Sequence, residues 1–342
     1  MPATDEALAQ AADVARTLVG STVELNRVLG GGRNSRIWRV RSSLGVFALK
    51  QYPPRRDDHR DRLSTEVGAL RLMERYHFDT VPRVVGVDDR RGYALLSWID
   101  GADVVEISND DIDAAADFLG AIHDLRAAQC AAMQPLAAEA CLSGGEILRQ
   151  VEERLMKLRG AASAEKELFD FLEHSFLHQF ASWSAAARNL ARQAGLDFDG
   201  ELPQECRSLV PSDFGFHNSL RRRDGSLAFV DFEYFGWDDP VKMTADILLH
   251  PGRALPRSQR DRFRQAATRL YGGDDRAFAP RLSAYLPLFG CRWVLIMLNE
   301  FIPELWRRRA LAGDSGSWSE AKTRQLGKAR DFLAALPEKF TE

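Results

Sequence analysis

Asp213, Asn218 and Asp231 are the residues whose types and spacing most directly suggest chemistry. They stand in Pro211-Ser212-Asp213-Phe214-Gly215-Phe216-His217-Asn218 and in the SLRRRDGSLAFVDFEY run that follows. Asp224-Gly225 has the composition of a two-residue hairpin turn. With that turn Arg223 faces Ser226 and, counting back, Asn218 faces Asp231, with Cβ atoms about 5 Å apart. A carboxylate and an amide oxygen so placed can share one Mg2+ ion, which takes oxygen ligands and keeps sites for substrate phosphates. Asp213, five residues before Asn218, falls in the loop beside that site. The same residues also fit a turn cap at Asp213 and a polar pair at the base of a hairpin.

A second group of residues suits phosphate. Leu29-Gly30-Gly31-Gly32-Arg33-Asn34-Ser35 lies between two strand-like segments, where free backbone N–H groups can cover phosphates; the glycines also fit a plain hairpin loop. Ala48-Leu49-Lys50 ends the third strand. Of 46 basic residues only seven are Lys, so a generic surface position would more often carry Arg than the Lys at 50. Glu66 follows Leu63 by three residues and precedes Leu70 by four, which sets it beside a buried helix face within reach of Lys50. A solvent-facing Glu66 is the alternative.

The elements that must hold these residues are legible from periodicity. Residues 5–19 read as a helix, then strands follow at about 23–29, 36–41 and 46–51. A helix over 60–76 and strands at 83–88 and 93–98 complete a mainly antiparallel first hundred residues. Beyond Asp100-Gly101 the chain turns helical, with apolar stripes through Ile112–His123, Ile147–Leu158 and Leu168–Trp183. The strand-like Leu209–Tyr234 interrupts the helices. We therefore expect an α+β chain of two domains. Residues 1–99 form a small antiparallel-sheet lobe with the Gly-rich loop and Lys50. Residues 100–342 form a larger helical lobe with a helical insert at about 140–205.

Composition narrows the classes. The chain of 342 residues is 45% hydrophobic and 28% charged, the mix of a folded globular protein. Its formal net charge of −3 argues against a nucleic-acid partner. Cys130, Cys141, Cys206 and Cys291 form no Cys-x-x-Cys pair and read as free thiols. The acid-bearing start MPATDEALAQ has no signal core, and the apolar Tyr285–Leu298 stretch carries Pro287 and Arg292. The expectation is a cytoplasmic protein without a membrane partner; its oligomeric state is open. His123 reads as a core histidine, and His217 as a residue in solvent or backbone contact. Arg221–Arg223 and Arg307–Arg309 read as solvated faces.

In this order, Gly-rich loop, Lys50, Glu66, Asp213 to Asn218 and Asp231-Phe232-Glu233, the sequence resembles the protein-kinase-like superfamily. More narrowly it resembles the aminoglycoside phosphotransferase and choline kinase group, over about residues 22–250. Tyr93–Gly101 is similar to that group's connection between lobes. Asp111–Leu125 resembles its helix with a terminal Leu-His, here Ile122-His123. Asp231–Tyr234 with Asp239-Pro240 and Asp246 resembles its metal turn and following helix. The resemblance implies a bilobal protein-kinase-like fold. It implies Mg2+-dependent transfer of the γ-phosphoryl group of ATP, or GTP, to a hydroxyl of a small molecule. Asp213 would be the base, and Asn218 and Asp231 the metal ligands. Gly31, Gly32, Asn34, Ser35, Lys50, Glu66, Ser97 and Ile99 would hold the nucleotide. Asp246 would support the catalytic loop structurally. Pro211 departs from the group, which usually has His there, and leaves a weakly active nucleotide-binding regulator as the alternative.

For the acceptor, a helix is expected after Pro287, with Leu288, Cys291, Leu295, Leu298 and Ile302 as its buried stripe. Trp293 and Glu300 lie at the stripe's edge, and Pro303 should end or kink the helix. We expect Glu300 and Asp238 to contact the acceptor and Tyr234 or Trp293 to line its pocket.

Overall fold

The structure, a computed structural model, describes residues 2–28, 35–54, 60–163, 165–312 and 317–340. Contacts divide the chain into two units. The first comprises Met1–Val105, Ala127–Ala138 and Pro211–Gly236; the second comprises Glu106–Arg126, Glu139–Val210 and Trp237–Glu342. The loop and hairpin that carry Asp213, Asn218 and Asp231 thus group with the N-terminal sheet.

In the first unit, helix α1 (Pro2–Val19) precedes strands β1 (Glu24–Arg27), β2 (Arg36–Ser42) and β3 (Gly45–Gln51). Helix α2 (Arg62–Arg75) and strands β4 (Val84–Asp88) and β5 (Tyr93–Ser97) follow. The sheet order is β1-β2-β3-β5-β4, antiparallel throughout. Trp38, Val40, Leu49, Tyr93 and Leu95 turn onto Ala11, Val14 and Ala15 of α1. Truncating a fully buried leucine such as Leu49 to Ala would cost about 2–5 kcal/mol. Helix α2 starts where Asp61 accepts a hydrogen bond from the Ser64 N–H at 3.2 Å. Its buried face carries Leu63, Val67, Leu70 and Met73 together with two charged residues, Arg62 and Glu66.

The hairpin after the Asp213 loop corrects the sequence count. Ser219 pairs with Phe229, and Arg221 with Leu227. The Arg222 N–H reaches the Ser226 carbonyl at 2.9 Å, and the Gly225 N–H reaches the Arg222 carbonyl at 3.1 Å. The connection therefore has three residues, Arg223-Asp224-Gly225, with the left-handed conformation at Gly225 (φ 88°) and not at Asp224. A two-residue I′ turn needs positive φ at both central positions. Asn218 consequently pairs with Val230, whose N–H meets the Asn218 carbonyl at 3.0 Å. Asp231 sits one step past that pair.

The second unit is helical. Its long helix Phe278–Met297 packs against the helices Gly144–Ala162, Leu177–Gln193, Pro240–Leu249 and Trp318–Phe340. Pro287 lies inside this helix and does not begin it, contrary to expectation. Burial on several sides holds the helix through the one backbone bond that proline cannot make. Contrary to expectation, Pro303 neither ends nor kinks this helix: Met297 ends it, Asn299–Phe301 forms a 3-10 turn, Ile302 lies outside the helix and is half-buried, and Pro303 opens the next helix. Phe278–Phe301 is long and apolar enough to cross a membrane by length and composition, and 67% of that stretch is buried inside the fold. His123 is a satisfied core histidine, with Nδ1 2.9 Å from the Ser208 hydroxyl and Nε2 3.2 Å from Asp274.

Candidate active site

Lys50 is the centre of the site. Strand β3 carries it on the face opposite Leu49, and the residue is 4% exposed. Its ammonium donates to Glu66 Oε2 at 2.6 Å and to Asp231 Oδ1 at 2.7 Å, and lies 3.3 Å from Glu233 Oε2. Burial pulls its pKa down, but Asp231, Glu66 and Glu233 together hold it well above the usual lysine value. Helix α2 supplies Glu66, which also accepts the Tyr52 hydroxyl at 2.7 Å and the Phe232 N–H at 3.3 Å. Glu66 therefore faces inward, and the solvent-facing alternative falls.

Asp231 takes a left-handed backbone conformation, φ 71°, which costs a non-glycine residue of order 1–3 kcal/mol. This kink, and not direct cross-strand pairing with Asn218, aims its carboxylate at Lys50. Burial, with Glu233 and Glu66 nearby, pushes the Asp231 carboxyl up to about 7 against the pull of Lys50.

Glu233 was not assigned a role from sequence. It is 3% exposed and accepts the Ser35 hydroxyl at 2.9 Å and the Arg62 guanidinium. Burial raises its pKa, but Lys50 and Arg62 hold it below the usual carboxylate value. Arg62 precedes Glu66 by one helical turn, so both project from the same face of α2. That spacing was a usable sequence signal for Arg62.

In the loop before the hairpin, the Asn218 amide donates to the Asp213 carbonyl at 2.8 Å. The His217 Nε2 lies 3.1 Å from Asp213 Oδ1, a side-chain contact where solvent or backbone contact was expected. Gly31, Gly32 and Asn34 lie outside the described residues. Ser35 is described and turns to Glu233. Ser97 and Ile99 line a surface cleft of about 490 Å³ with Arg83, Trp98 and the hairpin tip Arg222–Asp224. None of Lys50, Asp213 or Asp231 lines it. The Ser97 hydroxyl accepts the Arg83 N–H at 2.9 Å.

Two expected acceptor residues have internal partners. Asp238 has no exposed surface, accepts the N–H groups of Cys141 and Asp239 at 2.8 Å each, and lies 3.9 Å from Lys242. It braces the start of a helix and offers no face to a small molecule. The Tyr234 hydroxyl accepts from Arg62 at 2.7 Å, and its ring lies under the Arg62 and Arg60 guanidinium groups. Glu300 is 5% exposed and not at the stripe's edge, because the 3-10 turn rotates it inward; its carbonyl accepts the Trp318 indole N–H at 2.6 Å. Trp293 is half-buried with its ring edge-on to His250.

Divalent metal is compatible with this donor set. The carboxylates of Glu66, Asp231 and Glu233 offer oxygens within 4.8 Å of one another, but Glu66 and Glu233 are committed to Lys50 and to Tyr52 and Arg62, which leaves Asp231 as the hard oxygen donor that Mg2+ prefers. Asn218, whose nitrogen is committed to Asp213, offers its amide oxygen.

An antiparallel sheet whose buried lysine pairs with a helix glutamate, followed by a loop and hairpin bearing Asp213 and Asp231, defines an α+β fold of the protein-kinase-like class. Residues 24–281 match the profile described as the phosphotransferase enzyme family, and the chain belongs to that family. No curated protein sequence matches the chain. Among solved structures it is similar to choline kinase from Cryptosporidium parvum Iowa II, with 9% identity over 93% of this chain and 94% of that one, TM-score 0.57. The gentamicin complex of APH(2″)-IIa aligns at TM-score 0.58, with 15% identity over 95% of each chain. Plasmodium vivax ethanolamine kinase aligns at TM-score 0.54, with 13% identity over 93% of this chain and 83% of that one.

Proposed function

We propose that the protein transfers the γ-phosphoryl group of ATP, or GTP, to a hydroxyl of a small molecule, with Mg2+ as cofactor. The observation that carries this reading is the buried Lys50 ammonium held between Glu66 at 2.6 Å and Asp231 at 2.7 Å. A cation kept charged at that depth, on three converging elements, suits a nucleotide phosphate. Asp231 and the Asn218 amide oxygen would hold the metal, which neutralises phosphate charge when bound. Asp213 would accept the acceptor's proton, and Ser35, Ser97 and Ile99 would border the nucleotide. Catalysis of this kind rests on positioning and electrostatics.

The acceptor class follows only from likeness. Structural neighbours are named for choline and ethanolamine kinases, and one is bound to gentamicin. We take amino alcohols and aminoglycosides as the first acceptors to test, with neutral sugars beside them. Trp293 and Glu300 remain the residues proposed near the acceptor.

The test is nucleoside diphosphate release with MgATP or MgGTP across such a panel. An acceptor-dependent rate that Asp213→Asn abolishes, with nucleotide affinity unchanged, is the expected result. Normal turnover in folded Asp213→Asn would remove Asp213 as base. Nucleotide binding without any turnover would favour the regulator reading.

A further inference from the structure

We infer that His217 is a positioning residue that fixes the Asp213 carboxylate for proton transfer from the acceptor. The inference rests on the proposed role of Asp213 as base. A carboxylate only accepts hydrogen bonds, so the contact of 3.1 Å requires the imidazole proton to sit on Nε2 and point at Oδ1. Oδ1 is then engaged and rotation of the carboxylate is hindered, which holds it in one orientation toward the acceptor's proton. A base oriented by a third group is the arrangement that activated hydroxyls generally need.

Backbone geometry supports the contact independently. Gly215 lies between the two residues at φ 156°, ψ −176°, a region reserved for glycine. A Cβ there would stand 3.1 Å from His217 Nδ1 and 3.3 Å from Cε1, so the ring rests directly against the bare glycine. The same glycine carbonyl accepts the Asn218 N–H at 3.0 Å and the Ser219 hydroxyl at 2.9 Å. The Asn218 amide closes the loop on the Asp213 carbonyl at 2.8 Å. Ring and carboxylate are thus held by one short, cross-braced loop. The Asp213 side chain is 43% exposed and the ring 23%, so the ring covers one side of a carboxylate that still reaches the surface.

In the transfer, the acceptor O–H bond breaks and its proton goes to the Asp213 carboxylate. The acceptor oxygen bonds to the γ-phosphorus while the bond from that phosphorus to the leaving nucleoside diphosphate breaks. His217 keeps its own proton throughout.

The test uses the full chain with MgATP, first with water as acceptor and then with any hydroxyl acceptor the panel yields. His217→Gln carries an amide N–H close to the position of Nε2; His217→Asn carries it about one bond short; His217→Leu carries none. We expect kcat to fall about tenfold to 100-fold in the Leu and Asn variants. Nucleotide Kd and KM should stay within about twofold, and the Gln variant should recover most of the rate. Equal rates for Gln and Asn, or a change confined to KM, would overturn the inference. If the Leu variant does not fold, the Gln and Asn pair decides alone. Loss of turnover in Asp213→Asn with full turnover in every His217 variant would refute the positioning role and leave the base intact. Full turnover in Asp213→Asn, or no turnover by the wild type with any acceptor, would refute the base and this inference with it.

Discussion

The Ser35 hydroxyl donates to Glu233 Oε2 at 2.9 Å, across 198 residues of sequence. Ser35 follows the Gly-rich segment, and Glu233 follows Asp231 by two. Glu233 also receives Arg62 from the first turn of α2 and stands 3.3 Å from Lys50. One buried carboxylate therefore joins Ser35, the glutamate-bearing helix and the buried lysine.

Replacing Glu233 should disturb all three. Glu233→Ala leaves Arg62, 4% exposed, buried without its carboxylate, and breaking a buried pair by removing one partner costs about 3–5 kcal/mol. Glu233→Gln keeps the shape and a hydrogen-bond acceptor but removes one of three charges that hold Lys50. We expect a smaller stability loss for Gln, with nucleotide affinity reduced about tenfold. Urea unfolding and nucleotide titration measure the two effects. Wild-type nucleotide affinity in Glu233→Gln would show that Glu233 only braces the fold.

Lys50→Arg keeps the charge in a chain that uses Arg almost everywhere. A planar fork cannot fit where a compact ammonium contacts carboxylates at 2.6 and 2.7 Å within a closed core. Turnover should fall on the order of 100-fold, the scale of a small misplacement at a reacting centre. A steady-state assay at saturating nucleotide decides it: an Arg variant as active as wild type would make Lys50 an ordinary charge.

The strands around Lys50 were legible because glycine and serine breaks bounded short apolar segments, and the scarcity of lysine marked Lys50 itself. Glu66 was legible from its helical spacing against Leu63 and Leu70. The hairpin register was not: it depended on whether Gly225 alone or Asp224 and Gly225 together adopted positive φ, and an Asp-Gly pair permits both. The Ser35–Glu233 bond was invisible because nothing local in either segment specifies a partner 198 residues away. Pro287 misled for a different reason. Local propensity marks proline as a helix break, but packing around Phe278–Met297 overrides it.

Two glycines should respond oppositely to alanine. A Cβ at Gly236 would stand 2.4 Å from the Pro135 carbonyl and 2.5 Å from the Ala137 nitrogen. Backbone cannot swing aside as a side-chain tip can, so the Ala138 N–H bond to the Tyr234 carbonyl, now 3.2 Å, should weaken. Gly236→Ala should destabilise by about 1–3 kcal/mol. Gly327 lies within helix Trp318–Phe340 with nothing within 4 Å of its would-be Cβ. Gly327→Ala should stabilise by about 0.5–1 kcal/mol through helix propensity and a less free unfolded chain. Denaturation midpoints that move in the same direction would contradict the packing described for Gly236.

Acid should erase one specific contribution. Arg154 and Arg292 both reach Glu139 Oε2, at 2.5 and 2.6 Å. Burial raises the Glu139 carboxyl pKa, but the two guanidinium groups overrule it and hold the value far below that of an ordinary glutamate. A carboxyl depressed on folding stabilises the native state above its unfolded pKa, about 4.3, and loses that contribution as pH falls toward the folded value. Glu139→Gln should therefore melt below wild type at pH 7, and the gap should persist to about pH 5. Below that it should narrow steadily, because the wild-type carboxylate must be protonated while Gln has no proton to gain. A Tm difference between the two chains that stays constant from pH 6 to pH 3 would mean that Glu139 contributes through packing and not through its charge.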